Sequence, residues 1–190
     1  MAVQARPKLS PENYLAIERS ADYKSEYLNG EIFAMVGASE PHNLIVANLI
    51  REIGNQLKQR PCKVYPSDMR VKVSPTGLYT YPDVIVVCGK AQFEDARKDT
   101  LLNPTVIIEV LSDSTDGYDR GGKFEHYRRL ESLAEYIMIA QNRYHLESYR
   151  RQPDHQWLLT ETTDPDSRFR LASIDCELAL ADIYDKVDWA

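Results

Sequence analysis

Thr105-Val106-Ile107-Ile108-Glu109-Val110-Leu111 is an apolar, β-branched run broken by a single carboxylate. Continuous runs of this length read as strands in the middle of a sheet covered on both faces. Asp83-Val84-Ile85-Val86-Val87, directly after Pro82, reads the same way and opens on an acid. Alternation puts Glu109 on the same face as Ile107 and Leu111, so it is not simply a solvent-side residue. Two such strands predict a central sheet, and the elements around them set the class.

Upstream, Ser10-Pro11 caps a helix that reaches about Arg19. Asn29-Gly30 signals a turn, and Glu31 to Val36 suits a strand. Ser39 starts the clearest helix, in which Val46, Leu49, Ile50, Ile53 and Leu57 form one apolar stripe that Pro61 closes. Cys62 to Tyr65 and Met69 to Val73 read as strands. Downstream, residues 112 to 122 are a loop and a helix runs from roughly Lys123 to Leu133, entering as early as Asp119. Glu135 to Ala140 is a strand, Gln141-Asn142 a turn, Tyr144 to Tyr149 its hairpin partner, and Trp157 to Thr160 a further strand. The order predicts an α/β fold, a central mixed β-sheet flanked by helices. The 190 residues predict one domain. Its tail from about Leu171 carries five acids against one lysine and reads as peripheral. The apolar tail residues Leu178, Leu180, Ile183 and Trp189 cover either a second copy, in a homodimer, or this chain's own core.

Composition narrows the function. With 43% hydrophobic and 27% charged residues the chain is of ordinary globular type. It has no apolar run long enough to span a membrane and no secretory signal over Met1 to Leu9. Cys62, Cys88 and Cys176 are isolated and odd in number, which predicts reduced thiols, a cytoplasmic location and no cysteine-based zinc site. The net charge of −6 speaks against tight coating of nucleic acid.

The chemistry is concentrated in a few acids and one lysine. Ionised carboxylates are rarely buried without a partner or a metal, because desolvation costs several kcal/mol. Asp83 and Glu109, at the ends of adjacent strands, can converge on a hard divalent cation. The plainer alternative is that Asp83 caps a turn and Glu109 pairs with an arginine. Lys123 opens the next helix with Tyr127 one turn on. It either reaches back over the strand end, as metal-assisted phosphodiester hydrolysis requires, or is a solvated residue paired with Asp119. Asp113 to Phe124 lacks the acid and glycine of a calcium loop, and Gly121-Gly122-Lys123 lacks the rest of a P-loop. His126, His145 and His155 show no zinc spacing.

Pro82-Asp83-Val84, Ile108-Glu109-Val110-Leu111-Ser112, Tyr118-Asp119-Arg120 with Lys123 and Tyr127, and Glu135-Tyr136 resemble the Uma2 family, placed in the PD-(D/E)XK nuclease superfamily. Glu26 to Ile32 and His42 also resemble its N-terminal pattern. The resemblance runs from about Tyr14 to Arg143. It implies a restriction-endonuclease-like fold and Mg2+ (or Mn2+) held by Asp83, Glu109 and the Val110 backbone. Where the superfamily motif has a lysine, this chain has Leu111, and the resemblance implies that Lys123 takes its place. Glu31, His42 and Tyr127 would support the site, with His42 a helix-capping residue in the plainer reading.

The implied function is Mg2+-dependent hydrolysis of DNA phosphodiesters by an endonuclease. Basic residues at Arg51 to Lys72, around Lys123 and at Arg143 to Arg151 suit local phosphate contact, or are ordinary solvated faces. Two alternatives stand beside it. One is an inactive nuclease-fold module for binding nucleic acid or protein, favoured by Leu111. The other is a metal-dependent phosphodiesterase on small substrates, favoured by the net charge.

Overall fold

The computed structural model describes residues 8–112 and 116–189. Most of the Met1 to Leu9 segment and residues 113–115 of the 112–122 loop therefore lie outside the described residues. The first half comprises α1 (Pro11–Glu18), β1 (Ser25–Leu28), β2 (Glu31–Ala34), α2 (Glu40–Leu57), β3 (Cys62–Pro66), β4 (Arg70–Val73), β5 (Leu78–Thr80) and β6 (Val84–Cys88). The second half comprises β7 (Thr100–Leu101), β8 (Val106–Leu111), a π-helical turn (Tyr118–Lys123) running into α3 (Phe124–Tyr127), β9 (Glu135–Ala140), β10 (Leu146–Arg151), β11 (Trp157–Thr162), β12 (Arg168–Leu171), β13 (Cys176–Ala179) and α4 (Leu180–Ile183).

The central sheet has the order β11-β10-β9-β8-β6-β3. It is mixed, with β8 and β9 parallel and the other neighbours antiparallel. The two apolar runs are β6 and β8, two of its interior strands, buried on both faces as continuous β-branched runs dictate. Val84, Val86, Val106, Ile108 and Val110 pack with α2 residues Ile45, Leu49, Ile53 and Leu57. Ile85, Val87, Ile107 and Leu111 face the other way, toward Val71, Val73 and Leu78 of a second sheet and Tyr127 of α3. That second sheet, β2-β1-β5-β4-β7, was not legible as a separate layer.

Three sequence expectations are corrected. The tail is not peripheral: β12, β13 and α4 bury Leu171, Leu178, Leu180 and Ile183 against α2 in the main core, so these residues cover this chain and not a second copy. Asn48 of α2 fixes the tail by donating from Nδ2 to the carbonyls of Ile183 and Asp185, both at 3.0 Å. Trp189 rests edge-on against Tyr144. The cysteines are not all free, because Cys62 and Cys88 stand opposite each other in the β3–β6 register and are joined as a disulfide. Cys176 is the buried free thiol. The helix expected from Lys123 to Leu133 is instead a π-turn that begins at Tyr118 and gives way to four α-helical residues.

Candidate active site

The β6–β8 register pairs Val84 with Ile108, and one further step sets Asp83 beside Glu109. By parity both acids lie on the face that looks toward the second sheet and α3. Asp83 Oδ2 accepts the Val110 backbone N–H at 2.8 Å and lies 3.2 Å from His42 Nε2. Asp83 thus neither caps a turn nor stands in open solvent. Glu109 is 3% exposed. Its Oε1 accepts from the Tyr127 hydroxyl at 2.8 Å and from Lys123 Nζ at 3.2 Å, and no arginine reaches it among the described residues. The other oxygen of each carboxylate, Asp83 Oδ1 and Glu109 Oε2, carries no hydrogen bond from a described residue.

Lys123 is buried, not solvated. Its ammonium lies 2.9 Å from Asp119 Oδ1, 3.2 Å from Glu109 Oε1 and 3.5 Å from Glu26 Oε1. The π-turn is the reason the lysine can do this. Widened helical turns recur at functional sites, and here the turn places Lys123 against Asp119, while Arg120 points away to Asp116 and Glu147. Burial alone would push the Lys123 ammonium down. The facing carboxylates of Glu109, Asp119 and Glu26 outweigh it and hold the group well above its ordinary value. Lys123 is therefore a fixed cation and not a base at neutral pH. Burial raises the Glu109 carboxyl, Lys123 lowers it, and the charges of Asp119 and Asp83 raise it further, so it sits well above the usual carboxylate range. Burial likewise raises the Tyr127 phenol, which stays a proton donor to Glu109.

Asp83, Glu109, Val110, Lys123 and His42 line one cleft of about 650 Å³. The sequence reading brought these five residues together. Tyr127 is fully buried and meets the site at Glu109, its hydroxyl lying also 3.4 Å from Thr80 Oγ1. Glu31 is the exception. It lies on exposed β2, opposite Leu28, and does not line the cleft. The third acid comes instead from the inner strand of that hairpin: Glu26, which accepts from the Thr80 hydroxyl and faces Lys123. Asp119 is the other residue that the sequence did not single out as a site acid. A buried glutamate on a strand next to a turn looks like any amphipathic strand residue until its partner strand is known.

The donor chemistry fits a divalent cation. Four carboxylates (Glu26, Asp83, Glu109 and Asp119) share this cleft with one imidazole and two ammoniums, Lys123 among them and Lys24 at the rim, where it pairs with Asp68. Such an excess of buried negative charge is costly unless a cation enters, and two carboxylate oxygens have no bond from a described residue. Oxygen donors of this kind suit Mg2+ or Mn2+. A second group lies elsewhere: His145, Glu147 and Glu161 bring ligand atoms within 4.8 Å of one another. There Arg120 binds both oxygens of Glu147, so that group already holds its counter-charge. No helix among the described residues is long and apolar enough to cross a membrane.

Residues 11–181 match the family model Uma2, described as "Putative restriction endonuclease". Two proteins of Synechocystis sp., sll1609 and slr1290, are 39% and 37% identical to this chain. The first alignment covers 85% of this chain and 91% of its relative, the second 94% and 92%. A crystal structure of a putative nuclease belonging to DUF820 from Anabaena variabilis superposes with a TM-score of 0.73. It covers 91% of this chain and 96% of that one at 18% identity, which establishes a shared fold.

Proposed function

Because the chain belongs to the Uma2 family, we propose that it is a divalent-metal-dependent endonuclease that hydrolyses phosphodiester bonds of DNA. One observation carries the reading. Asp83 and Glu109 line one cleft, each with an oxygen that no described residue bonds, beside an ammonium that three carboxylates favour in its charged form.

Asp83 and Glu109 would hold Mg2+ or Mn2+, with the Val110 backbone beside them. A cation bound there supplies Lewis-acid polarisation of the phosphoryl group. The protein's own residues supply the rest. His42 and the Val110 N–H fix the orientation of Asp83, and Tyr127 fixes Glu109. Lys123 presents donors to the attacking water or to the negative charge that develops on the phosphate. Its charge needs no proton transfer, because three carboxylates keep it on. Leu111, which stands where the motif lysine would be, is buried in the apolar layer between the sheets. Lys123 reaches Glu109 from the π-turn, and this supports catalysis over an inactive binding module.

The test is incubation of the purified chain with supercoiled plasmid DNA and Mn2+ or Mg2+. Nicked or linear product that disappears on chelation, and with Asp83→Asn, is the expected result. Intact plasmid under all metals, with a folded protein, overturns the reading.

A further inference from the structure

Three aromatic rings line the acid cleft; Tyr81 is buried and engaged with Glu18 and Arg70, and the other two are exposed. Tyr118 is 42% exposed and Phe33 is 50% exposed, and both belong to the wall of the cleft that holds Asp83 and Glu109. Among the described residues neither ring stacks on another ring. This sets them apart from Phe124, which packs against Tyr136, Tyr149 and Trp157. They approach from opposite parts of the chain, Phe33 from β2 and Tyr118 from the π-turn.

The placement of Tyr118 is built. A Cβ on Gly122 would fall 2.6 Å from Tyr118 Cδ2 and 2.7 Å from Cε2, closer than real side chains approach. Only glycine leaves the ring room to lie along the turn, 5.8 Å from the Lys123 ammonium. Burial and the charge of Glu26 push the phenol up to about 12, so it stays neutral. Beyond Phe33 the wall continues through Met35 and Val36, the latter 79% exposed. Lys24 stands in the same cleft, its ammonium held by the Ser67 carbonyl at 3.0 Å and Asp68 Oδ1 at 3.1 Å.

Exposed aromatic faces beside a phosphate-processing site suit nucleic-acid bases whose own faces are free. In an intact duplex those faces are hidden in the stack. The net charge of −6 also gives little support for wrapping a duplex. We infer that this cleft takes single-stranded or locally unpaired DNA, with bases stacking on Tyr118 and Phe33 while the sugar-phosphate chain crosses the acids. The inference rests on the nuclease reading for the identity of the ligand.

The experiment is fluorescence anisotropy with the full chain, in Ca2+, using three labelled probes of equal length: an oligothymidylate, the corresponding abasic strand and a duplex. The expected order of affinity is oligothymidylate over duplex and over abasic strand. Tyr118→Ala and Phe33→Ala each weaken oligothymidylate binding by roughly fivefold to a hundredfold, the effect of one lost stacking contact. Abasic binding stays unchanged, and Tyr118→Phe binds like the native protein. Equal affinity for the abasic strand, or preference for the duplex, overturns the inference. So does a Phe33→Ala protein whose only change is its oligomeric mass. Tighter binding of a matched single-stranded RNA through the same two rings overturns the choice of DNA. The two readings fail separately. Plasmid cleavage without base-dependent binding removes the inference alone, and base-dependent binding without cleavage under any metal removes the nuclease reading alone.

Discussion

Two buried polar networks lie on either side of β1, and they are built on opposite principles. The first joins α1 to the second sheet. Glu18 accepts from the Ser25 backbone at 2.9 Å, from the Ser25 hydroxyl and from Tyr81 at 2.8 Å. Arg70 donates to Tyr81 at 2.8 Å and Thr100 at 3.0 Å, and pairs with Asp99, which Arg19 also binds. Glu18 and Asp99 face Arg70 and Arg19, with Asp95 on Arg19 at the exposed rim, and each side chain has partners on several sides. The second network is the cleft, where Glu26, Glu109 and Asp119 share Lys123, and where Asp83 and Glu109 each keep an oxygen that no described residue bonds. A closed network serves the fold. An open, negative one is retained only for what binds it, and sites of this kind trade stability for chemistry.

The comparison breaks first at activity. Asp83→Asn or Glu109→Gln is expected to lower metal-dependent DNA cleavage by about a hundredfold or more, the scale of losing one preorganised charge contact. Both proteins should unfold as cooperatively as the native chain in urea. Glu18→Gln should do the reverse, lowering the unfolding midpoint while kcat of the folded protein is kept.

The next effect is on stability. Arg70→Met removes the buried cation that pairs with Asp99 and donates to Tyr81 and Thr100, and should cost about 3–5 kcal/mol. Lys123→Met leaves three carboxylates facing one another and should cost a similar amount. Mn2+ should restore much of the second loss and none of the first, as read by thermal unfolding with and without the ion. Equal behaviour of the two variants toward Mn2+ would erase the distinction between the networks.

The smallest effect is a pH dependence. A carboxyl raised in the folded state contributes stability below its unfolded value and loses that contribution as pH rises through the folded value. Glu109 is such a group, through burial first and the charges of Asp119 and Asp83 after it. Metal-free Glu109→Gln should therefore match the native protein in acid and exceed it in stability above neutrality. Urea unfolding at the two pH values reads this directly, and a variant less stable at the higher pH contradicts it.

Much of the fold was legible because burial writes itself into strands. The runs Val84–Val87 and Val106–Leu111 contain almost nothing polar, so their central position followed, and the acids that interrupt them stood out. The long helix showed its stripe. What stayed hidden depends on tertiary pairing. Glu26 carries no sign that β1 will face Lys123 and not solvent, whereas Glu31 sits after an Asn-Gly turn that draws the eye. The tail reads as acidic because its charges lie on exposed positions, while Leu178, Leu180 and Ile183 alternate into the core. A π-turn has no simple repeat to find, and Asp119 enters the site only through it. His145 and Glu147 lack any zinc-like spacing, and Glu161 reaches them by β10–β11 pairing.

The most direct test is a crystal soaked in Mn2+, with the ion located by its anomalous scattering. The account predicts an ion bound by Asp83 and Glu109, with the Lys123 ammonium still seated among Glu26, Glu109 and Asp119. An ion found only at His145, Glu147 and Glu161, or no ion in the cleft at saturating Mn2+, would contradict it.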